Sequence, residues 1–215
     1  MKCVILGAGK IARGFIGHLL YISGIPFTFI EKADALVDLL NQQGEYTVNI
    51  LGNSEKNCLV KGVRAIGFQD EEKVAETISD ADAVFTAVGG KNLGALVPYL
   101  AKGIEAKAKK GGFLNIVTCE NWKLPADILR KGIEESISGE AKPYLKEQVG
   151  ITEAVIMRSA IEADQELLKK DPLIVNVQDF WDLPVDASRV KGELPPVYGC
   201  SMRKIVRNIP GRYIR

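Results

Sequence analysis

A glycine-rich run near the N-terminus has the spacing of a turn that holds a pyrophosphate. The run Gly7–Gly14 follows a short apolar stretch and opens a helical pattern. In such a turn Gly7 permits the tight bend, Gly9 lets the backbone approach the anion, and the small Ala12 allows close helix–strand packing. The N–H groups and dipole of the helix N-terminus then hold the negative charge. The alternative is a glycine-rich turn without a ligand.

An acidic residue, Glu31, stands at the end of the second apolar run, FTFI. A carboxylate at this place can accept hydrogen bonds from the adenosine ribose and would repel a 2′-phosphate. This predicts NAD as the cofactor in preference to NADP, a preference that the adjacent Lys32 could soften. The alternative is a surface glutamate that caps the next helix.

Two further short segments follow apolar runs. Residues 86–89 and 119–121 fall where predicted strands end, which is where open α/β sheets bind ligands. The Asn121 amide could polarise a carbonyl, and Glu120 could orient a substrate or relay a proton. Ordinary strand-to-helix turns or a capping turn would give the same local sequences. The predicted cofactor-binding residues are Gly7, Ala8, Gly9, Lys10, Ile11, Arg13, Gly14, Glu31, Thr86, Ala87, Val88 and Gly89.

Alternating strands and helices must position these segments. Apolar runs predict buried strands, and apolar residues at helical spacing predict the helices between them. Over the first 140 residues this alternation predicts an α/β fold of the Rossmann type, a doubly wound parallel sheet with helices on both faces. The predicted strands are 2–6, 27–30, 82–88, 113–118, 150–157 and 172–179, and the predicted helices are 11–23, 34–43, 71–79, 92–109 and 125–137.

Two regions depart from the simple alternation. Residues 46–51 and 58–66 are β-like and joined by a polar NSEKN link, which predicts an extra β excursion with a hairpin as its expected form. The proline-rich and basic stretch 191–215 predicts a linker, or the start of a helical catalytic domain that is absent, after a cofactor domain at 1–190. A solvated C-terminal helix is the alternative for that stretch.

Composition excludes several partners. With 28 Lys and Arg against 27 Asp and Glu, no overall field attracts nucleic acid or an anionic membrane. No apolar run is long enough to span a bilayer, and the N-terminus lacks the features of a signal peptide. The four cysteines are far apart and His18 is the single histidine, which argues against a metal site and for free thiols in the cytoplasm.

The sequence marks out no acid/base group. A dehydrogenase that transfers hydride needs one to handle the hydroxyl proton. His18 falls within the first predicted helix, which makes it a poor candidate. The lysines and tyrosines carry no distinguishing pattern.

Short runs spread over the whole chain occur in an order typical of one enzyme family. They are GAGKIARGFIG, TFIE, TAVG, CEN, VGITEAVIMR, DPL and WDLPVD followed by KGELP. In these runs the chain resembles the mannitol-1-phosphate 5-dehydrogenases, which are polyol-specific long-chain dehydrogenases. The first run separates this branch from the mannitol 2-dehydrogenases and fructuronate reductases.

The resemblance implies an NAD-binding Rossmann domain and the interconversion of fructose 6-phosphate and mannitol 1-phosphate. It also implies roles for particular positions. They are Gly7, Gly9 and Gly14 for the pyrophosphate, Glu31 for the ribose, 86–89 for the nicotinamide ribose, Asn121 for the reacting oxygen and Arg158 for the substrate.

Two departures from the family pattern matter. Met157 stands where the family has an aspartate before the arginine, which leaves open a related dehydrogenase for another sugar acid or sugar phosphate. The family's catalytic lysine motif, KxxxxNxxH, is absent, since Lys204 and Asn208 have a different spacing and no histidine follows. We therefore expect a truncated or naturally short chain that binds NAD(H) but turns over poorly or not at all. The alternative is a stand-alone NAD-binding module without catalysis. The missing domain would leave its docking face exposed on this chain. We therefore expect a monomer, or an artificial dimer that forms through that face.

Overall fold

The computed structural model describes residues 1–204, 206–208 and 212–214, and most of its strands belong to two sheets. In chain order the strands are β1 (Cys3–Leu6), β2 (Phe27–Glu31), β3 (Glu45–Ile50), β4 (Cys58–Lys61), β5 (Ala65–Gly67), β6 (Ala83–Thr86), β7 (Leu114–Thr118), β8 (Val149–Glu153), β9 (Ala160–Ile161), β10 (Val175–Val177), β11 (Leu183–Asp186), β12 (Cys200–Arg203), β13 (Val206–Asn208) and β14 (Arg212–Ile214).

The helices begin and end at residues suited to those places. Asp70 caps one helix by accepting the Lys73 N–H, Pro125 occupies the first turn of another, and Gly44 ends a third in a left-handed conformation. The first helix is π-helical over Ala12–Gly17 and continues directly as α1. The α-helices are α1 (His18–Ile22), α2 (Asp34–Gln43), α3 (Glu71–Asp80), α4 (Leu93–Lys110), α5 (Pro125–Ser136), α6 (Lys142–Gln148) and α7 (Gln165–Lys170).

The main sheet is parallel, six-stranded and covered on both faces. Its strand order is β5-β2-β1-β6-β7-β8. Successive residues of β1 face opposite sides: Cys3 and Ile5 pack towards the first helix and α2, while Val4 and Leu6 pack towards α3, α4 and α5. The predicted Rossmann-type, doubly wound α/β fold is confirmed.

A second sheet, of order β4-β3-β10-β9, lies over the first helix. The antiparallel pair β3 and β4 is the predicted excursion, and its hairpin form is confirmed. Two expectations need adjustment. The end of the predicted run 58–66 belongs to β5, which joins the main sheet beside β2. The strand predicted at 172–179 pairs with β3 in the second sheet.

The first part of the segment after residue 190 packs on the rest of the chain. Strand β12 pairs in parallel with β11, and Val197 is buried in the hydrophobic core. Strands β13 and β14 form a separate antiparallel pair. The described parts of 200–215 are strands, so the helix considered as an alternative is not found there; residues 205, 209–211 and 215 lie outside the described residues. The domain boundary at 190 stays a prediction.

Three chemical features complete the fold. All four cysteines are free thiols. Within the described ranges, no group of three or more His, Cys, Asp or Glu side chains is placed to hold a metal ion. Among the same residues, no helix combines the length and apolar character needed to cross a membrane.

Gly17 lies at a close contact between the first helix and the second sheet. A Cβ on Gly17 would lie 2.6 Å from the hydroxyl of the buried Tyr46, which itself donates to the Arg13 carbonyl. We expect Gly17→Ala to lower the free energy of unfolding by about 1–3 kcal/mol, because the close-packed neighbours must move. Chemical denaturation measures this loss.

Gly94→Ala is the matched control, since a Cβ on Gly94 in α4 would meet no atom within 4 Å. Alanine there should leave stability unchanged or raise it by up to about 1 kcal/mol. Equal stabilities for the two variants would contradict the packing account.

Candidate functional site

The glycine-rich turn lies between β1 and the first helix, against the turn that follows β6. Gly7 has φ 94°, and a Cβ there would lie 2.5 Å from the Ala87 carbonyl oxygen, so only glycine fits without strain. A Cβ on Gly9, in contrast, would meet no atom within 4 Å. Gly9 is exposed and faces open space at the start of the helix. The turn thus closes tightly at its base and leaves its tip accessible.

Glu31 ties this turn to the start of α2. One carboxylate oxygen accepts the Ala8 N–H at 2.6 Å, and the other accepts the N–H groups of Lys32 and Ala33 at 2.8 and 3.0 Å. The oxygen that accepts the Ala8 N–H retains capacity for a further donor. The carboxylate therefore fixes the link between β2 and α2 without bonding to an N–H group inside α2, so it is not the helix cap that the alternative supposed. It also lines the cavity beside Gly7 and Gly9.

Three residues predicted to bind the cofactor lie behind the cleft. The Arg13 guanidinium donates to the carbonyls of Ala8 and Leu173 and thereby supports the turn from below. A Cβ on Gly14 would lie 2.6 Å from a methyl group of Val177, so glycine there allows the second sheet to approach the helix. Thr86 is fully buried at the end of β6. Direct cofactor contacts by these residues stay predictions.

A first cavity, of about 480 Å³, extends from the glycine turn towards α4. It includes residues that the sequence analysis missed, among them Phe68 and Tyr99, whose ring centroids are 4.7 Å apart. Asn92, Leu96 and Tyr99 have the i, i+4, i+7 spacing of one helical face, which was the available signal. Its lining residues are Gly7, Gly9, Glu31, Lys32, Phe68, Ala87, Val88, Asn92, Ala95, Leu96 and Tyr99.

A second cavity, of about 530 Å³, shares Gly9 and Ala87 with the first. The two together form one cleft along the carboxyl ends of the parallel strands, the usual ligand position in such sheets. The residues from β8 to β9 that line it were not predicted, apart from Arg158. The lining residues are Gly9, Lys10, Ile11, Ala87, Gly89, Cys119, Glu120, Asn121, Ile156, Met157, Arg158, Ser159 and Ala160.

Glu120 and Asn121 differ in their surroundings although they are adjacent. Asn121 is exposed at the cavity. Glu120 is only 5% exposed, and its carboxylate accepts the N–H groups of Val88 and Gly89. Burial raises the pKa of Glu120, and the hydrogen bonds from these N–H groups act in the opposite direction. Its role in orienting substrate or relaying a proton stays a prediction.

Arg158 is 1% exposed and is held by backbone carbonyls and aromatic rings. Its guanidinium donates to the carbonyls of Gly14 and Gln178 and contacts the His18 ring nitrogen at 3.2 Å. It also lies over Trp181, 4.6 Å from the ring centroid. Burial lowers the pKa of His18 to about 4, with the Arg158 charge as a second cause, so His18 is neutral near pH 7. Substrate binding by Arg158 stays a prediction.

Lys10 projects from the tip of the glycine turn across the second cavity. Its ammonium group is 2.5 Å from a carboxylate oxygen of Glu162, and both side chains are largely exposed. The hydrogen bond from Lys10 lowers the pKa of Glu162. An exposed pair of this kind contributes little to stability. Lys10 can therefore exchange this carboxylate for another anion at small cost.

A larger cavity, of about 750 Å³, lies at the other end of the sheet. Residues at the starts of β1 and β2, such as Cys3 and Phe27, line it together with Arg64 and Lys73. None of the predicted site residues contributes to it. Since ligands of parallel sheets bind at the carboxyl ends of the strands, we place the functional site in the cleft and not here.

Sequence comparisons agree with this geometry. The family model described as "Mannitol dehydrogenase Rossmann domain" matches residues 1–199. Mannitol-1-phosphate 5-dehydrogenase of Lacticaseibacillus casei (strain BL23) is 33% identical over 196 residues, and that of Thermoanaerobacter pseudethanolicus is 34% identical over 195 residues. Each alignment covers 90% of this chain and 50% of the relative. The chain thus spans about half the length of the curated relatives it matches.

Solved structures agree at the level of the fold. D-sorbitol dehydrogenase in substrate-free form matches with a TM-score of 0.76 at 15% identity, covering 94% of this chain and 53% of that one. The ternary complex of Pseudomonas fluorescens mannitol 2-dehydrogenase with NAD and D-mannitol matches with a TM-score of 0.74 at 11% identity, covering 90% and 50%. Because the family model matches residues 1–199, which is most of this chain, the chain belongs to the mannitol dehydrogenase Rossmann-domain family.

Proposed function

We propose that this chain is the NAD(H)-binding part of a polyol or sugar-phosphate dehydrogenase. The observation that carries the proposal is the pair of neighbouring cavities that share Gly9 and Ala87 in their linings. Glu31 lies in one half and Asn121 in the other. A cleft with an acceptor for ribose hydroxyls at one end and an amide donor at the other suits an elongated dinucleotide next to a carbonyl or hydroxyl substrate.

The residues of the cleft fit the parts of NAD. The first cavity offers the Glu31 carboxylate for the adenosine ribose and the Phe68 and Tyr99 rings for the adenine. The open tip at Gly9, at the start of the helix, offers backbone N–H groups to the pyrophosphate. We assign the nicotinamide half to the second cavity, where Gly89 and Asn121 stand.

NAD supplies the hydride acceptor, and NADH the hydride donor, in the proposed reaction. The proposed substrate pair is fructose 6-phosphate and mannitol 1-phosphate, which the relatives' name and about one-third identity support. In this scheme Asn121 binds the reacting oxygen and Arg158 holds the substrate end of the second cavity. Lys10 could meet the substrate's or cofactor's negative charge, because its present partner Glu162 is exposed.

No poised acid/base lines the second cavity among the described residues. Burial raises the pKa of Cys119 well above its usual range, which leaves a neutral thiol. Both oxygens of Glu120 accept backbone N–H groups, and Lys10 is paired. We therefore expect this chain alone to bind NAD(H) with little or no turnover. A strong rate of polyol-phosphate oxidation by this chain would refute that expectation.

A related dehydrogenase acting on another sugar acid or sugar phosphate remains a second candidate. Met157, which replaces the family's aspartate, lines the second cavity, so the difference falls where substrate would bind. To separate the two candidates, this chain would be fused to the catalytic half of a relative. The rate of NAD-dependent oxidation or reduction would then be measured with a panel of sugar phosphates and sugar acids.

Calorimetric titration with NAD⁺ and NADP⁺ tests the proposed function directly. We expect NAD⁺ to bind more tightly by about tenfold or more, because the Glu31 carboxylate lines the cavity and repels a 2′-phosphate. If neither cofactor binds, the proposal is overturned. If NADP⁺ binds more tightly than NAD⁺, the assignment of Glu31 to the adenosine ribose is overturned.

A further inference from the structure

The turn after β6 divides the proposed cofactor cleft into its two halves. Val88 lines the first cavity, Gly89 lines the second, and Ala87 lines both. The position of this three-residue turn therefore decides how the two halves join. Ala87 and Val88 pack partly against the hydrophobic cores on the two sides of the sheet, while Gly89 is exposed and has no side chain to pack.

The backbone of the turn is held by Glu120, which belongs to the end of the neighbouring strand. One carboxylate oxygen of Glu120 accepts the Val88 N–H at 2.8 Å, and the other accepts the Gly89 N–H at 3.0 Å. Hydrogen bonds to an ionised acceptor are stronger than neutral ones, and burial of the carboxylate strengthens them further. Both oxygens of a buried carboxylate thus hold two successive peptide groups.

A second side chain fixes the opposite side of the same turn. The Asn92 amide donates to the Val88 carbonyl at 2.7 Å, and the Asn92 N–H donates to the Gly89 carbonyl at 2.8 Å. The Ala87 N–H continues the sheet by donating to the Leu6 carbonyl. Among these contacts, those of Glu120 alone come from the wall of the second cavity, so they link the turn to the proposed nicotinamide half.

We propose that Glu120 is a positioning residue whose carboxylate sets the turn Ala87–Gly89 so that the nicotinamide half of NAD(H) can be bound. This deepens the proposed function and rests on NAD(H) binding in the cleft. It differs from substrate orientation or proton relay, because it uses both carboxylate oxygens on the protein's own backbone. The residue acts through the turn and not by contact with a reacting atom.

Glu120→Gln tests the proposal, since glutamine keeps the length but has one oxygen acceptor and one NH₂ donor. One of the two N–H groups then faces a donor, and the turn must shift. We expect the variant to bind NADH about tenfold more weakly, in line with the loss of a hydrogen bond to a charged group. ADP, which lacks the nicotinamide half, should bind within about twofold of wild type. Fluorescence or calorimetric titration measures both affinities.

Glu153→Gln is the matched control. Glu153 is also a buried glutamate at the carboxyl end of a neighbouring strand, where it accepts the Ala126 N–H, but it lines neither cavity. Glutamine there should leave the NADH and ADP affinities at wild-type values. An equal loss of NADH affinity in both glutamine variants would overturn the proposal.

Glu120→Asp keeps two acceptors on a shorter side chain and gives a second, independent measurement. We expect its NADH affinity to lie between those of wild type and Glu120→Gln, and its ADP affinity to be unchanged. If Glu120→Gln does not fold, selective loss of NADH affinity in Glu120→Asp supports the proposal. Unchanged NADH affinity in a folded Glu120 variant, or an equal loss for ADP, overturns it. Failure of wild type to bind NADH would instead refute the proposed function.

Discussion

The substitution Gly9→Val is expected to weaken NAD(H) binding by at least about 100-fold, or roughly 2.7 kcal/mol, while the fold stays intact. A Cβ on Gly9 would meet no protein atom within 4 Å, so we expect the free chain to accept a side chain there. Gly9 lines both cavities, however, and the new side chain would stand where the pyrophosphate must approach the backbone. Calorimetric titration with NADH measures the loss, and thermal unfolding confirms that the variant is folded.

Gly139→Val is the control for this experiment. Gly139 also has no atom within 4 Å of a Cβ position, and it lies in neither cavity. The control variant should bind NADH as wild type does. Wild-type affinity in Gly9→Val would contradict the placement of the pyrophosphate at the turn.

Glu31→Ala should change the preference between NAD⁺ and NADP⁺ by about 100-fold in favour of NADP⁺. The carboxylate that repels a 2′-phosphate is removed. The backbone N–H groups of Ala8, Lys32 and Ala33, which Glu31 now engages, become available to an anion next to the Lys32 ammonium group. We expect NAD⁺ affinity to fall and NADP⁺ affinity to rise, as measured by parallel titrations.

Asp34→Asn provides the comparison, since Asp34 is a nearby carboxylate that accepts from Gln69 and lies outside both cavities. Its removal changes the local charge by the same amount without opening the ribose position. If both variants change the preference between NAD⁺ and NADP⁺ equally, the effect comes from the local charge in general and not from the contact of Glu31 with the ribose.

Five strands of the main sheet could be predicted because their signals are local, whereas β5 was not separated from the predicted run 58–66. Each strand is a short apolar run, and each helix has one apolar face and a recognisable end, such as Gly44 after α2. The glycine run and Glu31 indicated the proposed cofactor half of the site for the same reason, since the turn, the helix start and the strand tip are close in sequence.

The second sheet could not be predicted because its pairing joins distant segments. Strand β3 pairs with β10, and nothing near Val48 indicates that its partner is Val175. The same limit applies to side chains. The sequence placed Glu120 at a strand end but could not show that backbone N–H groups would occupy both its oxygens. Likewise, the aromatic partner of Arg158, Trp181, is known only from the fold.

The second sheet also has a consequence for how the chain acquires its structure during synthesis. The N-terminal part of the chain leaves the ribosome first, so β3 and β4 are present long before β10. Until residues 175–177 emerge, one edge of β3 has no partner, and the helix surface at Gly14 lacks its cover of Val175 and Val177. An open strand edge readily pairs with other chains. The nascent chain is therefore most exposed to misassociation before β10 is translated, and a chaperone would act with greatest effect in that interval.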